Sequence, residues 1–424
     1  MNEKGKPVSR DGGAAGGGYR VRQEMNPGNR FDAVKIEWED GVDLPQTLKI
    51  HEEIARSIVS ENDSPDIPFR YSVNPYRGCA HACAYCYARP SHEYLGMGAG
   101  TDFDTQIYAK TNAADLLRRK FASKGWTREP ITFSGITDCY QPAESRLKIT
   151  RACLEVCLEF KQPVSIITKS TLILRDLDLL TALDREAGAG VILSIPFADE
   201  TTARFIEPFA APPELRFRAL EKLSQAGLRT GISLGPVIPG LNDSDIPSLL
   251  ARAKECGAGF AFYVMLRLPG SVREVFLERV RKHLPEKAGK IEHHIREVRG
   301  GDLYQTDFRH RMSGTGTMAD MVDKLFRIHA RKHGLDIGER MEDLEARSAG
   351  EGMAGPNLGR SLRGKQGGSD GSDQGAAWVE ARETEGGATG RMENRTSGAS
   401  VRKPGKSPKG AKKIDPGQLD LFAT

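Results

Sequence analysis

Three cysteines, Cys79, Cys83 and Cys86, lie in the stretch Asn74-Pro-Tyr-Arg-Gly-Cys-Ala-His-Ala-Cys-Ala-Tyr-Cys-Tyr-Ala-Arg89. Their spacing is C-x3-C-x2-C, with Tyr85 and Tyr87 flanking the last cysteine. Three thiolates on one short loop can hold three irons of a [4Fe–4S] cube. Electron-transfer ferredoxins supply four cysteines. Here the next one, Cys139, is far along the chain and not at ferredoxin spacing. The fourth iron is then open to a non-protein ligand, which makes the cluster a reagent as well as an electron carrier. A structural zinc loop is the competing reading, with His81 or a distant residue as fourth ligand. Zinc sites usually show two paired ligand sets, and only one set is present.

The rest of the composition bounds the setting. The chain has 424 residues, seven cysteines, a net charge of +4 and 38% hydrophobic residues. An odd number of cysteines, three of them clustered, points to metal or catalytic chemistry in a reducing, cytoplasmic compartment and not to a disulfide framework. The Gly-rich start has no apolar core of a secretory signal. No apolar run is long enough to span a membrane.

Positioning such a loop requires a scaffold, and the pattern supplies one. Residues 1–45 read as a loosely ordered arm and 346–417 as a Gly/Ser-rich disordered tail. Between them strand-like and helix-like segments alternate. The strands are Tyr71–Val73, Pro130–Ser134, Val164–Thr168, Gly190–Ile195, Leu228–Leu234 and Gly259–Val264. The helices are Asp115–Lys124, Ala143–Phe160, Leu172–Asp184, Pro213–Ala226, Asp243–Glu255 and Ser271–His283. Alternation of this kind predicts an α/β fold with a parallel sheet, residues 46–285 forming the barrel-like domain. Residues 286–345 read as a basic helical extension. In parallel α/β folds ligands sit at the carboxyl ends of strands, and the cysteine loop follows the first strand directly.

The C-x3-C-x2-C loop resembles that of the radical SAM superfamily. With Thr137-Asp-Cys-Tyr-Gln-Pro-Ala-Glu144 and Gly235-Pro-Val-Ile-Pro-Gly-Leu-Asn-Asp243, it is similar to the branch related to spore photoproduct lyase, over roughly residues 15–345. The resemblance implies an open (β/α)6 partial TIM barrel. It also implies a [4Fe–4S] cluster on Cys79, Cys83 and Cys86, S-adenosylmethionine on the open iron, and reductive release of a 5′-deoxyadenosyl radical. An external electron donor of flavodoxin or ferredoxin type would feed the cluster. Tyr85 would line the adenine, and Tyr85 and Tyr87 would match the lyase's radical-relay tyrosines. Backbone at Ser134 and Gly135 would meet the S-adenosylmethionine amino group, although the family's usual Gly-Gly-Glu is absent. Asp138 and Glu144 would face ribose or substrate, with a loop cap as the alternative for Asp138. Cys139 stands nearest to the lyase's hydrogen-atom donor, but packing as a small buried residue is an equal alternative. Cys153, Cys157 and Cys256 read as core.

The resemblance points to nucleic acid as substrate, in DNA repair or base modification. Arg296, Arg299, Arg309, His310 and Arg311 form a basic segment, and the tail adds Arg402, Lys403, Lys406, Lys409, Lys412 and Lys413. Such runs bind phosphate backbones or simply stay solvated. Gln418-Leu-Asp-Leu-Phe422, within residues 418–424, resembles the peptide that docks bacterial polymerases and repair proteins on the sliding clamp. A radical SAM enzyme that modifies a protein or small molecule, and a non-catalytic metal module, are the competing readings.

Overall fold

The computed structural model describes residues 48–337. The expected arm, the tail, the end of the basic extension and the terminal pentapeptide lie outside the described residues. Among the described residues ten strands are present: β1 (Lys49–Glu53), β2 (Val59–Glu61), β3 (Tyr71–Val73), β4 (Tyr76–Arg77), β5 (Gln106–Lys110), β6 (Ile131–Phe133), β7 (Val164–Thr168), β8 (Ala189–Ser194), β9 (Arg229–Val237) and β10 (Phe260–Met265).

Seven of them form one sheet in the order β10-β9-β8-β7-β6-β3-β2. From β3 to β10 every pairing is parallel and the strands follow chain order; β2 alone runs antiparallel, against β3. All residues of β3 and β6 are buried, and β8 nearly so. A parallel sheet is covered on both faces, so even Ser72 and Thr132, set between apolar neighbours, are buried. Helix Pro213–Gln225 packs on β8 and β9, Leu177–Glu186 on β8, and Ile246–Glu255 on β9.

The sequence did not reveal a second sheet, β1-β5-β4, which contributes the alternating burial of Gln106–Lys110. Nor is the expected helix Ala143–Phe160 continuous. It breaks at Lys148, whose φ is 53°, into Glu144–Leu147 and Ile149–Glu159. The cause is Glu144. Its fully buried carboxylate accepts from the N–H groups of Thr150 (2.9 Å) and Arg151 (3.3 Å), capping the second helix in the first turn. Likewise the Leu-rich segment starts as a 3-10 turn, Thr171–Asp176, before the helix Leu177–Glu186.

The extension is helical, as Pro285–Val298 and Gly316–Lys332. It is tied to the sheet: Ala261 N–H donates to Asp336 (2.8 Å), and Met265 N–H to Met312 (2.8 Å). Apolar residues form a main core around the strands. A second cluster joins Cys83, Ala84 and Tyr85 to Leu266, Phe276, Ile291 and Ile295.

Candidate active site

The cysteine loop leaves the carboxyl end of β3 and is held by a dense set of bonds. Gly78, just before Cys79, has a φ of +74°, and a Cβ there would lie 2.9 Å from the carbonyl oxygens of both Phe103 and Gln106. Only glycine fits. Cys79 N–H donates to Phe103 (3.0 Å), and Ala84 N–H to Ile206 (2.9 Å). Ala82 also has a left-handed φ, 53°. Fully buried Arg89 clamps the far side. It donates to the Cys83 carbonyl (3.0 and 2.9 Å) and to the carbonyls of Ala99 and Gly100 (3.0 Å each), and pairs with Asp104 (2.9 Å).

The segment Thr137–Glu144 braces the loop from β6. Fully buried Gln141 donates to the Gly78 carbonyl (3.0 Å) and accepts from Ala80 N–H (3.0 Å). Thr137 Oγ1 donates to the Tyr76 carbonyl (2.9 Å), and Tyr76 donates its hydroxyl to Glu144. Asp138 faces His81 Nδ1 at 3.4 Å. It also accepts from Thr168 Oγ1 (2.7 Å) and from the N–H groups of Lys169 (2.8 Å) and Tyr140 (2.9 Å). Burial alone would raise its pKa; His81 and these bonds hold it down to about 2. Both carboxylate oxygens thus accept from protein donors, and the group braces the loop. Glu144 is likewise a buried structural knot, completed by Arg175 at 2.7 Å.

Cys79 and Cys83 are buried, Cys86 partly so, and none is in a disulfide. Burial pushes all three thiols up, that of Cys83 to about 12, while Lys169 opposes the effect at Cys83 and Cys86. Tyr85 is buried and donates its hydroxyl to Glu207, whose carboxylate pairs with buried Arg216. The Lys169 ammonium lies 5.6 Å from the Tyr85 ring centroid. Burial disfavours its charge, but Cys83 and Glu207 outweigh this and its pKa is raised. Tyr87 is 37% exposed, donates its hydroxyl to the Gly135 carbonyl, and has the Arg267 guanidinium 6.0 Å from its ring centroid.

Ser134, with a φ of 72°, accepts from Cys139 N–H through Oγ (2.8 Å). Cys139 itself has no accessible surface and belongs to the main core. Cys153 and Cys157 are core as expected. The basic segment is a correction. Arg299 and Arg311 are buried, Arg311 paired with Asp66 (2.5 Å); Arg296 pairs with Glu292 (3.0 Å) and Arg309 with Asp307 (3.2 Å). These cations are neutralised or internal, so the segment is not a row of free phosphate contacts.

Lys169, Glu207, Arg216 and Arg267 were missed in the sequence. Lys169 and Arg267 follow β7 and β10 closely, so a search of strand carboxyl ends would have found them. Glu207 follows the helix Glu200–Ile206, which carried no periodic signal strong enough to mark it.

The donor set fits an iron–sulfur cluster. Soft thiolates select zinc or Fe–S, and a zinc site needs a fourth ligand. His81 is engaged by Asp138, and Cys139 lies in the core. Among the described residues no three His, Cys, Asp or Glu converge as on one metal ion; a cube that spreads its ligands over three irons does not need that convergence. Asn74 Nδ2 is buried without a partner beside the loop, a donor left over for a ligand.

A parallel α/β domain that holds three thiols at its strand ends is the framework of a cluster enzyme. The model of the radical SAM superfamily matches residues 73–253. A Mycobacterium tuberculosis protein of uncharacterized function is 36% identical over 242 residues, 56% of this chain and 71% of its own. A Pseudomonas phage M6 protein called radical SAM Nalpha-GlyT isomerase is 24% identical over 219 residues, 51% of this chain and 43% of its own. Spore photoproduct lyase complexed with dinucleoside spore photoproduct superposes with a TM-score of 0.48 at 14% identity, over 68% of this chain and 81% of that one. The chain belongs to the radical SAM superfamily, whose enzymes use a [4Fe–4S] cluster and S-adenosylmethionine. Among the described residues no helix is long and apolar enough to cross a membrane.

Proposed function

We propose that this chain is a cytoplasmic radical SAM enzyme that acts on nucleic acid, in repair or base modification, with its six parallel strands curved as an open (β/α)6 barrel. The observation that carries the reading is the cysteine loop at the carboxyl end of β3, braced on both sides, with Tyr87 exposed beside it. Cys79, Cys83 and Cys86 would hold the cluster. When bound, cluster and S-adenosylmethionine supply a 5′-deoxyadenosyl radical after one-electron reduction by an external flavodoxin- or ferredoxin-type donor.

The chain's own residues do the rest. Glu207 fixes the Tyr85 ring at the adenine side. Lys169 offers its ammonium to a carboxylate beside the loop. Asn74 and the backbone at Ser134 and Gly135 line the same end. Tyr87 presents an aromatic face to the substrate, and its hydroxyl is anchored on Gly135. The pentapeptide Gln418–Phe422 would tether the enzyme to the sliding clamp; Leu421→Ala/Phe422→Ala should abolish capture by clamp protein, and equal capture would refute the tether.

Anaerobic reconstitution tests the core of the proposal. The expected result is about four irons per chain, with 5′-deoxyadenosine released under reductant. Cys83→Ala should lose iron and keep its fold. Uptake of zinc with no iron would refute the cluster. Irradiated DNA and tRNA, run against peptides, test the substrate class.

A further inference from the structure

Arg267 follows β10 and is half-buried, yet no carboxylate pairs with it among the described residues. Its polar contact is a weak one, from Nη1 to the Met312 sulfur at 3.7 Å, and its Nε is buried without a partner. A guanidinium carries five donors in a fixed fork. Leaving them unmatched in a partly desolvated place is costly unless an anion completes them. A second cation makes the need greater. Arg299 is buried nearby and donates to the carbonyls of Met265 (3.2 Å), Leu266 (2.5 Å) and His310 (3.1 Å). Burial and then Arg267 hold its pKa down to about 10. Arg299 thereby fixes the backbone just before Arg267, and its charge adds to the local positive potential.

We infer that Arg267, supported by Arg299, is an anion subsite that receives a backbone phosphate of the nucleic-acid substrate while Tyr87 stacks on the adjoining base. The subsite rests on the proposed nucleic-acid reading. The pairing of groups favours phosphodiester over carboxylate. Tyr87 is 37% exposed and carries the Arg267 guanidinium over its ring, 6.0 Å from the centroid, so the pair offers a base and its own phosphate one partner each, a sugar apart. A peptide carboxylate would use the fork but leave the ring without purpose. The arginines of the polar segment 296–311 do not compete, since Arg296, Arg309 and Arg311 have acidic partners and Arg299 is tied to carbonyls.

The test is equilibrium binding of a fluorescein-labelled single-stranded dodecanucleotide to the full chain, by anisotropy over a salt series. Wild type, Arg267→Gln and Arg267→Lys are compared, with iron content and thermal midpoint measured for each. Arg267→Gln should weaken binding about tenfold, the loss of one charge-assisted contact. It should also lower the slope of log K against log salt by about 0.7, one phosphate on a single strand. Arg267→Lys should keep that slope and lose part of the affinity, since the charge stays but the fork goes. A purely structural role would shift the thermal midpoint of Arg267→Gln and leave its salt slope as in wild type; that outcome overturns the subsite and leaves the nucleic-acid reading standing. No oligonucleotide binding by wild type overturns both. Binding of a labelled oligoglutamate that depends on Arg267, with oligonucleotide binding that does not, reassigns the anion to a carboxylate and overturns the phosphate.

Discussion

Replacing Gly78 by alanine isolates the geometry that presents Cys79. The added methyl would meet two backbone carbonyls at 2.9 Å, those of Phe103 and Gln106, and His92 Cε1 at 3.0 Å. None is the free end of a flexible chain, so the loop itself must shift. The left-handed φ of +74° costs an L-residue roughly 1–2 kcal/mol. The overpacking adds about 1–3 kcal/mol. Together the loss is about 2–5 kcal/mol, a large part of the stability of an ordinary domain, about 5–15 kcal/mol. The Phe103 carbonyl also accepts from Cys79 N–H, so the displacement acts on the first ligand directly. Gly96 is the control: its φ is nearly the same, +72°, and nothing lies within 4 Å of an added Cβ. Gly96→Ala should cost about 1 kcal/mol and load iron as wild type does. Urea unfolding of the metal-free proteins and iron per chain after anaerobic reconstitution read both effects. If Gly78→Ala matches wild type in midpoint and iron content, the claim that backbone crowding sets the ligand loop is wrong.

Glu207→Gln leaves the buried Arg216 guanidinium with carbonyl partners only, and should lower unfolding free energy by about 3 kcal/mol; Tyr85→Phe, which keeps the ion pair, should cost about 1 kcal/mol. Equal losses in urea titrations would contradict the pairing. Cys139→Ala should reduce stability by about 1 kcal/mol and leave conversion of the nucleic-acid substrate unchanged in the reconstituted enzyme; loss of product with wild-type stability and unchanged 5′-deoxyadenosine release would assign Cys139 to the chemistry as hydrogen-atom donor. The Asp138 carboxyl has a folded pKa of about 2, below its unfolded value. Its contribution is therefore present above about pH 4 and disappears as pH falls toward 2, roughly 2 kcal/mol in all. Asp138→Asn should be less stable than wild type at pH 7, and the gap should narrow across that window; a gap independent of pH down to 2 would refute the assignment.

The ligand loop was legible because its chemistry is local: three cysteines within eight residues need no knowledge of the fold. The parallel strands were legible because short strand-like segments alternate with helical ones, and β7 falls on the expected residues Val164–Thr168. What could not be read depends on long-range pairing. Arg311 reads as a free cation until Asp66, 245 residues away in sequence, is brought to 2.5 Å. Glu144 reads as a helix residue until its carboxylate folds back and splits the helix at Lys148. The two-residue strand β4 has too little length to carry any period.

The outer side of β10 bonds to Met312 near one end and pairs with Asp336 near the other. The family match stops at residue 253, before this strand begins. A fragment cut to that match would lack β10 and bare β9 in its place. One ending near residue 300 would keep Phe260-Ala-Phe-Tyr-Val-Met265 as an uncovered apolar ribbon with open N–H groups at Ala261 and Met265. Such a ribbon recruits copies of itself. The extension is thus a seam that keeps the sheet from growing, and any shortened form meant to stay monomeric must retain the chain through residue 336.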